Sequence, residues 1–273
     1  MKDVDPKFSA WACSLSGCDG GDPSAPVWIS GIEWGYGKRR GQTDDEYEEA
    51  VSSYYSMNLP DEIAKGRYEP RGDYLWQEHL TYPFGRSVAK LFMALNGLGV
   101  ENYNRIAEMD IDSKIFKLNL YPIAFRHAGD KLWAKYHIGD LTGLDSKEVY
   151  RTWCFLNRFP FIAETVKRHN PKLIIGIGVT YLTDFFACFA GTGGSGNIHI
   201  GELQPDFKNK QNHRRYYWSK INSGRTLLAV IPFFSSQYGL NSDSLIQQLG
   251  SQLAELCPGV DGASVSGSTV KAV

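Results

Sequence analysis

Four short, nearly continuous apolar runs, at 27–30, 114–120, 172–178 and 226–231, are separated by longer stretches in which apolar residues recur every third or fourth position. The short runs have the length and character of strands buried on both faces, and the longer ones have the period of helices packed against them. Within 87–98, Val88, Leu91, Phe92 and Leu95 fall at helical spacing. The stretch 149–169 carries Trp153, Leu156, Phe159, Phe161, Ile162 and Val166, and Pro160 predicts a break or kink within it. A last helix over 243–256 presents Leu245, Ile246, Leu249 and Leu253 on one side. This alternation predicts an α/β fold with a central, mostly parallel sheet of four to five strands flanked by helices.

Two stretches depart from the alternation. Residues 38–80 are charged, tyrosine-rich and poor in aliphatic side chains, and read as a long excursion from the first strand, helical around 44–55. Residues 191–225 begin with Gly-Thr-Gly-Gly-Ser-Gly and continue into a basic, aromatic hairpin containing Lys208, Lys210, His213, Arg214, Arg215, Tyr216, Tyr217, Trp218 and Lys220. Such a hairpin suits a nucleic-acid surface; it equally suits a solvated hairpin whose tyrosines pack on the sheet. The small, polar segment 258–273 is expected to be a disordered tail, which leaves a single domain over 1–257 with insertions near 38–80 and 191–225.

The chain has 273 residues, 42% of them hydrophobic and 13% aromatic, enough for one large domain with a substantial core. A net charge of -1 excludes a protein that binds polyanions through its overall charge, so any nucleic-acid contact needs a local basic face. No window is long and apolar enough to cross a bilayer and no hydrophobic segment follows the first residues, which predicts a cytoplasmic protein with no membrane partner. Cysteines at 13, 18, 154, 188 and 257 form no Cys-x-x-Cys pair, and the scattered histidines form no metal-binding spacing. Buried free thiols are expected at Cys154 and Cys188, and neither a metal nor another cofactor is expected.

Chemistry is expected where the strands end. The first strand runs into Gly31-Ile32-Glu33-Trp34-Gly35, delivering backbone N–H groups and a carboxylate to the carboxyl edge of the sheet, where α/β proteins bind ligands. Tyr82-Pro83-Phe84-Gly85-Arg86 opens a helix, Leu118-Asn119-Leu120-Tyr121-Pro122 closes the second strand, and Ile231-Pro232-Phe233-Phe234-Ser235-Ser236-Gln237-Tyr238-Gly239 follows the last. A carboxylate, an aromatic platform, an amide and a wedge loop would then converge on one cleft. Taken singly, each has a plain structural alternative: Glu33 in a solvated turn, Asn119 as a turn former, Phe84 and Trp34 as packing aromatics, and Phe233 and Phe234 between sheet and helix.

In the order of these motifs, from about residue 27 to about residue 256, the chain resembles the uracil-DNA glycosylase superfamily. Gly31, Glu33 and Trp34 match the family's first motif, with Trp34 where proline is usual. Pro83-Phe84 matches its base-stacking Pro-Phe pair, and Asn119-Leu120-Tyr121-Pro122 its base-reading asparagine. At the final motif, Ile231-Pro232-Phe233 stands where the family has His-Pro-Ser, so the histidine that donates to the base oxygen is missing. The resemblance implies an α/β/α sandwich and a monofunctional DNA glycosylase. Glu33 would stabilise oxocarbenium character and activate water, and Asn119 would read the base edge. Gly31, Ile32, Trp34, Phe84 and Tyr121 would line the base pocket. Lys38, Arg39, Arg40, Arg214, Arg215, Phe233, Phe234, Ser235, Ser236 and Gln237 would contact DNA, one of the phenylalanines as the wedge.

The missing histidine, Trp34 and the two insertions point away from a tight uracil pocket and toward a modified or bulky base. Among relatives the pattern looks like phage-defence glycosylases that remove glucosylated hydroxymethylcytosine from viral DNA, which is expected to be double-stranded; no obligate protein partner is inferred. Excision of uracil or a deaminated base, a non-catalytic DNA-binding module and an enzyme acting on free nucleotides are the alternatives. The orientation of the Asn119 amide, which decides between a uracil-like and a cytosine-like edge, is not legible in the sequence.

Overall fold

A computed structural model describes residues 3–35, 41–70, 75–125, 131–191, 196–204, 214–235 and 237–260. Its centre is a six-stranded sheet in the order β2-β1-β3-β6-β5-β4. The expected apolar runs form β1 (Val27–Gly31), β2 (Ile115–Asn119), β3 (Leu173–Ile177) and β6 (Thr226–Ile231), all parallel. The other two strands, β4 (His199–Leu203) and β5 (Arg214–Ile221), form an antiparallel hairpin whose second strand pairs with β6. The sheet is therefore mixed and larger than the mostly parallel, four- to five-stranded one expected.

The physical reason lies in β5. Arg214 and Tyr216 are buried on one face and Ser219 and Ile221 on the other, while Arg215 and Lys220 are exposed, so the buried side changes along the strand and the segment carries no continuous apolar run for a sequence reading to detect. By pairing with β6, the hairpin gives that strand a neighbour on both sides, and every residue of β6 is buried.

Eleven α-helices occur among the described residues: α1 (Pro6–Ala12), α2 (Asp44–Ser53), α3 (Leu59–Ala64), α4 (Pro83–Leu95), α5 (Ile111–Lys114), α6 (Lys131–Lys135), α7 (Ile138–Thr142), α8 (Lys147–Trp153), α9 (Phe159–His169), α10 (Leu182–Ala190) and α11 (Asp243–Leu256). They cover both faces of the sheet. Val27, Ile29, Ile115, Ile175, Ala229 and Ile231 pack with Val88, Leu91 and Phe92 of α4 and Leu245, Ile246 and Leu249 of α11. Trp28, Phe116, Leu118, Ile174, Leu228 and Val230 face the other layer, built by α1, α2, α3 and α6 through α10. Both free thiols expected to be buried, Cys154 and Cys188, lie there with no exposed surface.

Pro160 does not break its helix. The chain stays helical from α8 to α9 through a π turn, Cys154–Arg158, in which the Phe159 N–H reaches back five residues to the Cys154 carbonyl. The wider turn relieves the conflict between a proline ring and the preceding turn, and the missing N–H falls where the hydrogen-bond ladder has already changed. The same device occurs before Pro60, where the π turn Tyr54–Asn58 leads into α3.

The excursion after β1 is also tied to the core. Thr43 and Glu46 form a reciprocal cap that starts α2. Beyond it, the Tyr54 hydroxyl accepts from the Ala124 N–H at 3.2 Å and the Tyr55 hydroxyl donates to the Ala124 carbonyl at 2.5 Å. These two tyrosines brace the segment after β2, which carries part of the site. Among the described residues, no helix is long and apolar enough to cross a membrane.

Candidate active site

Gly31 and Asn119 end β1 and β2 and face each other in the parallel register. A Cβ at position 31 would stand 2.6 Å from Asn119 Oδ1, so glycine is what makes room for the amide. Asn119 is buried, and its Nδ2 donates to the Gly17 carbonyl at 3.0 Å and to Asp19 Oδ1 at 3.5 Å. Asp19 belongs to a segment that runs antiparallel beside the outer edge of β2: its N–H donates to the Lys117 carbonyl at 2.9 Å, and the Lys117 N–H donates to the Gly20 carbonyl at 3.0 Å.

That pairing brings the Lys117 ammonium into contact with the Asp19 carboxylate, which also accepts from Trp34 Nε1. Lys117 lies two residues before Asn119 and so on the same face of the pleated strand; its Nζ is 4.8 Å from the centre of the Phe84 ring. Burial drives the Lys117 ammonium down from the ordinary lysine range to about 7, and the Asp19 carboxylate lies against it. Asn119, Trp34 and Phe84, singled out in the sequence, are thus joined into one cluster through Asp19 and Lys117.

Arg158, fully buried in the π turn between α8 and α9, holds this cluster from behind. Its guanidinium donates to the carbonyls of Leu120 at 2.7 Å, Asn119 at 3.2 Å, Ser14 at 3.0 Å and Ser16 at 2.7 Å, and to that of Ala12. One side chain ties the end of β2 to the loop that supplies Gly17 and Asp19. The acceptors are neutral and preorganised, so the rigid five-donor fork of arginine is needed where a lysine would reach too few.

Glu33 lies in a second cluster. Beyond the strands the two backbones continue side by side: the Tyr121 N–H donates to the Ile32 carbonyl at 2.8 Å and the Phe125 N–H to the Trp34 carbonyl at 2.9 Å. Between them the Glu33 carboxylate accepts from Lys147 Nζ at 2.9 Å. The side chains of Glu33 and Lys147 are 15% and 3% exposed, and the ammonium sits 3.8 Å from the centre of the Phe125 ring. Burial pushes the Glu33 carboxyl above the usual glutamate range, with Lys147 and then Arg151 pulling it back. Arg151 also approaches Asp184 at 3.6 Å, and Asp184 accepts from the Tyr121 hydroxyl at 2.6 Å. Burial and the Asp184 carboxylate together push the Tyr121 phenol up.

The other expected pocket and DNA residues scatter. Ile32 and Tyr121 are buried in the apolar core, Tyr121 with its ring 5.6 Å from that of Phe159, whereas Trp34 is 44% exposed. Phe84 is half-buried, with the Lys117 ammonium over its ring and Phe234 packed edge-on at 5.8 Å. The two phenylalanines of the last loop separate: Phe234 is buried, and Phe233 is 41% exposed. The Phe233 ring lies where a Cβ on Gly178, a residue at φ +129, would approach within 2.7 Å.

Arg214 is buried, and its guanidinium donates to the carbonyls of Gly239 at 3.0 Å and Gln237 at 2.8 Å, turning it inward to shape that loop. Arg215 is exposed and pairs with Glu202 at 2.9 Å; Ser235 and Gln237 are exposed. Lys38, Arg39, Arg40 and Ser236 lie outside the described residues.

Sequence reasoning missed Asp19, Lys117, Lys147 and Arg158. Lys117 carries a readable signal, since a lone charge inside an apolar strand requires a buried partner. Lys147 carries a weaker one: it opens α8, where the helix dipole disfavours a cation. Asp19 and Arg158 look like ordinary loop and helix residues until the chain folds. Compared with known proteins, the chain matches no protein-family model, no curated protein and no solved structure.

Proposed function

We propose that the chain is a DNA glycosylase that hydrolyses the N-glycosidic bond of a flipped-out, modified base, such as glucosylated hydroxymethylcytosine in viral DNA, and leaves an abasic site. The observation that carries this reading is that a carboxylate and a carboxamide leave neighbouring parallel strands at the same edge of the sheet, Glu33 from the segment after β1 and Asn119 from the end of β2. Each is largely withdrawn from water and held by named polar partners, as groups that act on a reacting bond must be.

Cleavage of the bond builds positive charge on the deoxyribose and negative charge on the departing base. Glu33, whose carboxylate Lys147 favours against the upward pull of burial, would stabilise the sugar and orient a water toward C1′. Asn119 would bind the edge of the extruded base, repaying part of the few kcal/mol needed to take it from the stack. Exposed aromatics on the loops at this edge, Trp34, Tyr82 and Phe233, suit a bulky base and a gap-filling wedge.

The test is incubation of the purified protein with DNA carrying modified and unmodified bases, followed by alkali, which breaks the strand at abasic sites. Breaks at a modified cytosine that disappear with Glu33→Gln support the reading. Breaks confined to uracil DNA would select uracil repair, and an equal absence of breaks for wild type and variant on every base would leave a DNA-binding module.

A further inference from the structure

The Asn119 amide has one chemically acceptable orientation. Its Nδ2 stands 3.0 Å from the Gly17 carbonyl and 3.5 Å from Asp19 Oδ1. Turned over, the amide would point its oxygen at a carbonyl and a carboxylate, leaving three acceptors without a hydrogen between them. Both N–H bonds are therefore directed inward. Among the described residues Oδ1 accepts no hydrogen bond, and it lies on the Gly31 side, where the missing Cβ leaves space. Asp19 cannot easily yield, because Lys117 and Trp34 hold its carboxylate and its own N–H is bound to the Lys117 carbonyl.

We propose that Asp19 sets the base specificity of this site. By holding the Asn119 nitrogen inward it leaves Oδ1 as the reading atom, which selects bases presenting an exocyclic amine over bases presenting a carbonyl at the same position. This rests on the glycosylase reading and names its substrate class, the amino-bearing bases. A cytosine-type amine donates to Oδ1. A uracil-type edge offers only its ring N–H, flanked by carbonyl oxygens, and the neighbouring oxygen finds no donor because both Asn119 hydrogens are committed. A site that leaves a buried polar atom of the wrong ligand unpaired discriminates strongly.

Oligonucleotides carrying 5-hydroxymethylcytosine or 5-hydroxymethyluracil at one position, with and without glucose on the hydroxymethyl group, form pairs that differ at the 4-position as amine or carbonyl. Wild type should excise the amino member roughly tenfold to a hundredfold faster, the discrimination expected of one good base contact. The double variant Asp19→Ala/Lys117→Met, which removes both charges so that neither is left buried alone, should lower that ratio at least about tenfold. Glu33→Gln protein should bind the amino member more tightly by a similar factor, a comparison that needs neither turnover nor a folded double variant. Equal rates and affinities for the two members, a preference for the carbonyl member, or a folded double variant that keeps the full ratio would overturn the role of Asp19. A binding preference that persists without excision of either member would instead overturn the glycosylase reading and leave the specificity assignment standing.

Discussion

Replacing Lys147 by methionine should destabilise the protein in a way that grows with pH. The ammonium lies 2.9 Å from the Glu33 carboxylate, and both side chains are largely shielded from water. At an effective dielectric of about 20 that separation corresponds to about 6 kcal/mol of attraction, much of it offset by desolvation. What remains on truncating one partner is the penalty of an uncompensated buried charge, about 3–5 kcal/mol. Methionine keeps an apolar chain against Phe125, so the loss is electrostatic.

The sign with pH follows from Glu33. Burial already raises its carboxyl and Lys147 is the main opposing influence, so the variant's Glu33 titrates higher still. A carboxyl raised on folding contributes stability below its unfolded range, near pH 4.3, and loses that contribution as pH rises through the folded value. Urea denaturation of wild type and Lys147→Met should therefore nearly coincide in acid and diverge toward pH 8. Glu33→Gln/Lys147→Met should recover most of the deficit. A deficit independent of pH, or one that Glu33→Gln does not relieve, would refute the reasoning.

Gly31→Ala should force the Asn119 amide from its place, since the new Cβ would meet Oδ1 at 2.6 Å; a loss of about 1–3 kcal/mol in thermal melts should accompany reduced excision. Arg158→Met should cost at least about 4 kcal/mol, because several buried carbonyls lose their donor together, and Arg158→Lys should fail to restore it in urea titrations. Phe234→Ala should cost about 3–5 kcal/mol as a buried ring against Phe84, while Phe233→Ala should change stability by less than about 1 kcal/mol and weaken DNA binding measured by fluorescence anisotropy. Similar stability losses for the two would show that the Phe233 ring is part of the packing and not free for a ligand.

By itself the sequence determined the parallel core and the last helix, because β1, β2, β3 and β6 are apolar enough to admit no wet face and α11 keeps its period from end to end. It also brought Glu33 and Asn119 to strand ends, since a glycine turn and an asparagine after an apolar run are local signals. The hairpin was visible, but its place as the extension of the sheet depended on the edge of β6 that β3 leaves unpaired and β5 fills. Neither the buried role of Arg214 nor the different fates of Phe233 and Phe234 could be read from adjacent, near-identical residue types. Tertiary structure alone decided which charges meet: Asp19 with Lys117, Glu33 with Lys147, and Arg158 with the carbonyls of two distant segments. It decided the direction of the Asn119 amide for the same reason. An amide is symmetric in shape and is oriented only by the acceptors beside it, here Gly17 and Asp19, which lie about a hundred residues earlier in the chain.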